Sequence, residues 1–109
     1  MIDYDGRKFR ASHGPDEEAT IAEYHQDGDL LWGEFSGGRT RRGSLTGLRT
    51  PDGTLDFAYT MVLRNGEVIS GHCFSTPEVL ADGRIRLHEK FERYGPHATT
   101  GFSHIEEIQ

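Results

Sequence analysis

"LDFAYTMVLRNGEVISGHCFSTPEVLADGRIRLHEKFER", residues 55–93, decides the fold. It contains three segments rich in alternating, β-branched and aromatic residues, separated by Asn65-Gly66 and Asp82-Gly83. Such dipeptides accept positive φ at both central positions, which matches the twist of a two-residue hairpin. The same signal recurs at Asp5-Gly6, Asp27-Gly28 and Asp52-Gly53, and Gly37-Gly38 is a sixth candidate. The segments between these turns predict strands at about 7–13, 19–26, 29–36, 40–50, 54–64, 67–76, 84–93 and 99–107. No stretch carries an apolar period of about 3.6 residues. The nearest helix candidate, "DEEATIAEYH" at 16–25, reads as a strand following an acidic loop.

Eight consecutive antiparallel strands would leave two long exposed edges. Closing the sheet removes both edges, and eight strands enclose a space that side chains fill or that holds one small ligand. The expectation is an all-β fold, a single eight-stranded antiparallel up-and-down β-barrel forming one domain over residues 1–109.

Two-residue turns would fix the register. Across Asn65-Gly66, Tyr59 then faces His72 and Phe57 faces Phe74. Across Asp82-Gly83, Phe74 faces Phe91, His72 faces Arg93 and Thr76 faces Glu89. Across Asp52-Gly53, Leu48 faces Phe57 and Thr46 faces Tyr59. The result is an apolar row, Leu48, Phe57, Phe74 and Phe91, beside a polar row, Thr46, Tyr59, His72 and Arg93. Cross-strand neighbours of this kind stabilise a sheet by about 0.2–1 kcal/mol per pair. The face with Leu55, Phe57, Tyr59, Met61, Phe74, Leu87 and Phe91 is therefore expected inside. Pro77 lacks a ladder donor and suggests a bulge. The registers near Gly28 and Gly37-Gly38 are open, as is the choice between Trp32 and the pair Leu31 and Phe35 for the interior.

The totals narrow the classes of function. A 109-residue chain with 34% hydrophobic residues supports one modest core. A formal net charge of −6 opposes binding to a nucleic-acid backbone, and "RTRRG" at 39–43 reads as a solvated strand end. The polar start "MIDYDGRKFR" and the absence of an apolar run of about 20 residues point away from export and membrane insertion. A single cysteine excludes an intrachain disulfide and fits a reducing compartment, so the expected location is cytoplasmic.

On the two-turn register Cys73 points outward, with His88 four residues along the neighbouring strand. That separation is too great for a Cys-His nucleophile. His88 and Glu89 face opposite sides, and His13, His25, His97 and His104 are scattered, so no metal centre and no cofactor site are expected. The inner rows define the candidate ligand site. Phe57, Phe74 and Phe91 form an aromatic floor. Thr46, Tyr59, His72 and Arg93 form a polar wall, with Ser44 and Ser70 one level away and Glu89 the remaining inward carboxylate. Buried polar groups need partners, which either a ligand or one another must supply. On the outside, Gly43, Leu45, Ala58, Val62, Ile69 and Cys73 would make a flat patch of small and apolar side chains suited to a symmetric dimer.

"EFSGGRTRRGSLTGL" at 34–48 and "STPEVLADGRIRLHEKF" at 75–91 resemble small uncharacterised bacterial proteins of the avidin-like, calycin-type barrel group. The likeness runs over about residues 7–108 and implies a barrel that holds a small ligand and associates with its own copies. Some sequences of that group carry an N-acetylglutamate synthase label. This chain has neither the βαβ pattern nor the phosphate-cradling loop that acyl-coenzyme A binding leads one to expect.

Three readings follow. The first is a non-enzymatic barrel that binds a small, partly apolar molecule. The second is a structural or interaction protein with a filled barrel that forms a homo-oligomer. The third is an acid-base enzyme using Tyr59, His72 and Glu89.

Overall fold

A computed structural model describes residues 2–11 and 18–108. Eight strands follow one another in sequence: β1 (Lys8–Ala11), β2 (Thr20–Asp27), β3 (Leu30–Gly37), β4 (Thr40–Arg49), β5 (Leu55–Leu63), β6 (Val68–Val79), β7 (Ile85–Arg93) and β8 (Thr99–Glu107). Each pairs antiparallel with the next, and β1 pairs with β8 to close the barrel. The eight strands match those predicted from the turn signals. The part of the first expected strand beyond Ala11, with His13, lies outside the described residues.

The register differs from the expected one, and the turns explain why. At Asn65-Gly66 the flanking pair is Val62↔Val68. At Asp82-Gly83 it is Val79↔Ile85, and at Asp52-Gly53 it is Arg49↔Leu55. In all three, the first loop-flanking N–H donates across the loop: Leu63 to Glu67, Leu80 to Arg84 and Thr50 to Thr54, at 2.8–2.9 Å. The glycine N–H returns to the same flanking residue's carbonyl at 2.9–3.0 Å. Only the glycine has positive φ, 88° at Gly53, 91° at Gly66 and 89° at Gly83, and no described non-glycine residue does. These are three-residue loops, a turn of two right-handed residues followed by a left-handed glycine, rather than two-residue turns with both central residues left-handed. The acidic or amide residue before each glycine has a different task. Its side chain accepts a hydrogen bond from the backbone N–H two residues on, Asn65 from Glu67, Asp52 from Thr54 and Asp82 from Arg84, at 3.0–3.1 Å. Hydrogen bonds from the Thr50 and Thr54 hydroxyls hold the Asp52 carboxyl down at about 2.

One extra loop residue shifts the facing strand by one position and reverses its faces. Relative to β5, strands β4 and β6 are therefore turned over, while β7, shifted twice, keeps its expected facing. The inner rows become Gly47, Phe57, Cys73, Phe91 and Gly101, and beside it Leu45, Tyr59, Gly71, Arg93 and Thr99. Leu48, Thr46, His72 and Phe74 face outward. The expected bulge at Pro77 is absent, and the β6–β7 ladder runs unbroken through Pro77↔Leu87. Pairing with β5 ends at Leu55↔Ser75, so Pro77 has a strand on one side only and its missing N–H is tolerated. Ser75, and not Thr76, faces Glu89.

The open question in β3 resolves in favour of Leu31 and Phe35. Leu31 is fully buried, Phe35 is half-buried against the core, and Trp32 lies outside, stacked on His25 with centroids 5.6 Å apart. One end of the barrel is filled by Tyr4, Phe9, Tyr24, Leu31, Leu55, Ile85 and Leu87. Tyr4, ahead of β1, donates its hydroxyl to the Gly53 carbonyl at 2.7 Å and plugs that end. Its burial pushes the phenol up to about 12. The space for a site is therefore toward the other end.

Candidate functional site

A cavity of about 590 Å³ occupies that half of the barrel. Its walls include Phe35, Leu45, Phe57, Tyr59, Met61, Cys73, Glu89, Phe91, Arg93 and Ser103. Inward glycines make the room. A Cβ on Gly71 would come within 2.5 Å of the Tyr59 hydroxyl, and one on Gly101 within 2.6 Å of the Phe91 ring. Each ring thus lies over a bare stretch of the next strand, which leaves the barrel axis open.

Of the residues expected at the site, Phe57, Tyr59, Glu89, Phe91 and Arg93 line the cavity. Thr46, His72 and Phe74 do not, because their strands are turned over by the longer loops. Thr46 sits on the outer face between Trp32 and Ala58. His72 pairs outside with Asp56 at 2.5 Å, and its ring lies 4.7 Å from that of Phe74, which is 53% exposed. The aromatic floor is accordingly Phe57 and Phe91 with Cys73 between them. Ser44 and Ser70 are exposed and stand opposite Thr60 on the outer face. The acid-base group of Tyr59, His72 and Glu89 is divided by the barrel wall.

The same reversal dissolves the expected outer patch. Gly43, Leu45, Ile69 and Cys73 face inward, leaving Ala58 and Val62 outside. Exposed apolar side chains instead stand at Leu30, Trp32 and Leu48 on the neighbouring strands β3 and β4, with Phe74 of β6 on the far side of Asp56 of β5.

On the cavity wall, Glu89 collects three donors. Ser103 Oγ donates to Oε1 at 3.3 Å, and Ser75 Oγ and Cys73 Sγ donate to Oε2 at 3.4 and 3.5 Å. Burial outweighs these bonds and raises the carboxyl above its ordinary range. Cys73 is inside rather than outside, so the sequence-based reason for dismissing it as a nucleophile does not hold. Burial, and then the neighbouring Glu89 charge, push its thiol far up, opposite to what a reactive thiolate needs. His88 points away and bonds Glu78 at 2.8 Å. Among the described residues no group of three or more His, Cys, Asp or Glu side chains converges as a metal site.

Toward the mouth stands Arg93, opposite Gly71 and Thr99. Its guanidinium carbon lies 5.6 Å from the Phe91 ring centroid, and its buried Nε has no hydrogen-bond partner. Burial raises the adjacent Tyr59 hydroxyl, against a hydrogen bond with the Arg93 side chain and the pull of its charge, both of which lower it. The inward glycines and Cys73 were missed in the sequence. Their signal lay in the turn chemistry: in Thr50-Pro51-Asp52-Gly53-Thr54, proline suits the first position of a right-handed turn, which a three-residue loop supplies.

Searches of curated proteins and of solved structures return no match. A family model described as avidin-like protein matches residues 2–108, and together with the closed eight-stranded barrel this places the chain in the avidin-like family.

Proposed function

We propose that the protein is a non-enzymatic binder of a small, partly apolar molecule held inside its barrel. The observation that carries this reading is the cavity of about 590 Å³, with aromatic and aliphatic walls and polar groups such as Tyr59, Glu89 and Arg93 among them. Ligand sites commonly have this size and this mixture. Family membership supports it. The absence of a thiolate nucleophile and the separation of His72 from Tyr59 and Glu89 favour binding over catalysis. Native mass spectrometry of protein purified from cells, and crystals soaked with a mixed panel of small amphipathic molecules, test it. Bound species inside the barrel are expected. An interior that takes up nothing in either experiment would exclude the reading.

A second activity is self-association through the outer surface, favoured by the exposed Leu30, Trp32 and Leu48 on β3 and β4 and by Phe74, which lies across Asp56 from Leu48. Sedimentation should give an oligomer that Leu48→Glu and Phe74→Glu dissociate. A monomer at all concentrations would remove this reading. A cytoplasmic setting belongs to the same proposal, supported by the lone cysteine.

A further inference from the structure

Asn65 is the only asparagine in the chain, and a glycine follows it. We propose that Asn65-Gly66 is a self-modification site, at which the backbone nitrogen of Gly66 turns the Asn65 carboxamide into a carboxylate, at a rate held down by a clasp from Glu67.

The chemistry needs an uncrowded nucleophile and a leaving group. Gly66 has no side chain to shield its nitrogen, and a Cβ built there would meet nothing within 4 Å. Asn65 and Gly66 are both exposed in the loop between β5 and β6, so water reaches them. The Gly66 nitrogen attacks Asn65 Cγ and a C–N bond forms. The Cγ–Nδ2 bond breaks, and Nδ2 leaves as ammonia with the proton that Gly66 gives up. Water then opens the cyclic imide at Cγ, leaving aspartate, or at the main-chain carbonyl, leaving an isoaspartyl link that routes the chain through the side chain. One water is consumed, one ammonia is released, and nothing is oxidised or reduced. The Asp-Gly pairs elsewhere in the chain lack this leaving group. Asp52 and Asp82 are moreover held ionised, by hydrogen bonds from the Thr50 and Thr54 hydroxyls and from Arg84.

The folded loop restrains each reacting group. The Gly66 N–H donates to the Leu63 carbonyl at 3.0 Å. Asn65 Oδ1 accepts from the Glu67 N–H at 3.0 Å, and Nδ2 donates to the Glu67 carboxylate at 2.9 Å. Glu67 is steadied in turn by His97, whose Nδ1 lies 3.2 Å from the other carboxylate oxygen. Closing the imide turns the carboxamide toward the Gly66 nitrogen and so away from Glu67. Glu67 is therefore a positioning residue that keeps the amide from its attacker. The isoaspartyl product adds one carbon to the main chain of the loop that sets β6 against β5. Either product places a second carboxylate beside Glu67, where like charges repel.

Peptide mapping by mass spectrometry tests this on the full chain, incubated at neutral pH and sampled over weeks. Aspartate and isoaspartate should accumulate at position 65, more slowly in the folded protein than in the same chain unfolded in guanidinium chloride. Glu67→Ala should raise the folded-state rate roughly fivefold, the size expected for losing one exposed charge-assisted hydrogen bond, and Glu67→Gln should raise it less. Asn65→Gln should give neither product. Thermal melts establish that each variant is folded during the incubation. A folded wild-type rate equal to the unfolded one, or a Glu67→Ala rate unchanged from wild type, overturns the clasp. Asparagine still intact at position 65 in both Glu67→Ala and the unfolded chain overturns the site.

Discussion

Truncating Phe57 and Phe74 separately tests the inner and outer faces of the barrel. The two phenylalanines lie on neighbouring strands, and two-residue turns would have made them partners inside. In the structure Phe57 is 4% exposed and opposes Cys73, whereas Phe74 is 53% exposed on the outer surface. Removing a buried phenylalanine costs about 3–5 kcal/mol. Phe57 borders a void that already exists, so Phe57→Ala falls at the lower end, about 3 kcal/mol. Full burial of a phenylalanine stabilises by about 1.5–3 kcal/mol, and Phe74 realises roughly half of that, so Phe74→Ala costs about 1 kcal/mol. For a chain of this size the melting temperature should fall by more than about 10 °C in the first variant and by about 4–8 °C in the second. Urea unfolding followed by far-ultraviolet circular dichroism, with unchanged slope, measures both. A Phe74→Ala cost equal to or greater than that of Phe57→Ala would refute the three-residue loops and the register derived from them.

The loops themselves make the second prediction. Gly66→Ala should cost about 1–2 kcal/mol, because its φ of 91° is left-handed, whereas Asn65→Ala should cost less, losing only an exposed side-chain hydrogen bond. Equal costs in urea titrations would indicate that both residues are left-handed. Cys73, 3% exposed, should react with a thiol-specific disulfide reagent only as fast as the barrel opens, and a rate matching that of the unfolded chain under native conditions would place the thiol outside. Glu89 should give stability a pH dependence of definite sign. Its folded-state value is raised, so its contribution is complete below the unfolded value of about 4.3 and is lost as pH rises through the folded one. Relative to Glu89→Gln, wild-type stability should decline from about pH 4 upward, with a slope of at most about 1.4 kcal/mol per pH unit. Urea midpoints across that range measure it, and a wild-type stability that rises with pH relative to Glu89→Gln would contradict the assignment.

Strand number, strand order and barrel closure are legible in the sequence. Six glycine-containing turn signals punctuate segments that alternate, and eight neighbouring strands are stable when no edge is left over. It also placed Phe57, Tyr59, Glu89, Phe91 and Arg93 on the inner side. It did so partly because two register errors of one residue each, at Asn65-Gly66 and Asp82-Gly83, cancel by the time β7 is reached.

Which face of β4 and β6 looks inward is set by packing between strands. The segment "VISGHCFS" at 68–75 offers apolar residues on both of its faces, Ile69 and Cys73 on one, Val68 and Phe74 on the other, so alternation does not choose between them. The dipeptide Asn-Gly serves a two-residue and a three-residue loop alike, and the difference of a single residue turns a whole strand over. What settles it is packing around the closed circuit. Phe57 lies over the bare backbone of Gly47 and Tyr59 over that of Gly71, pairings made only with β4 and β6 turned over.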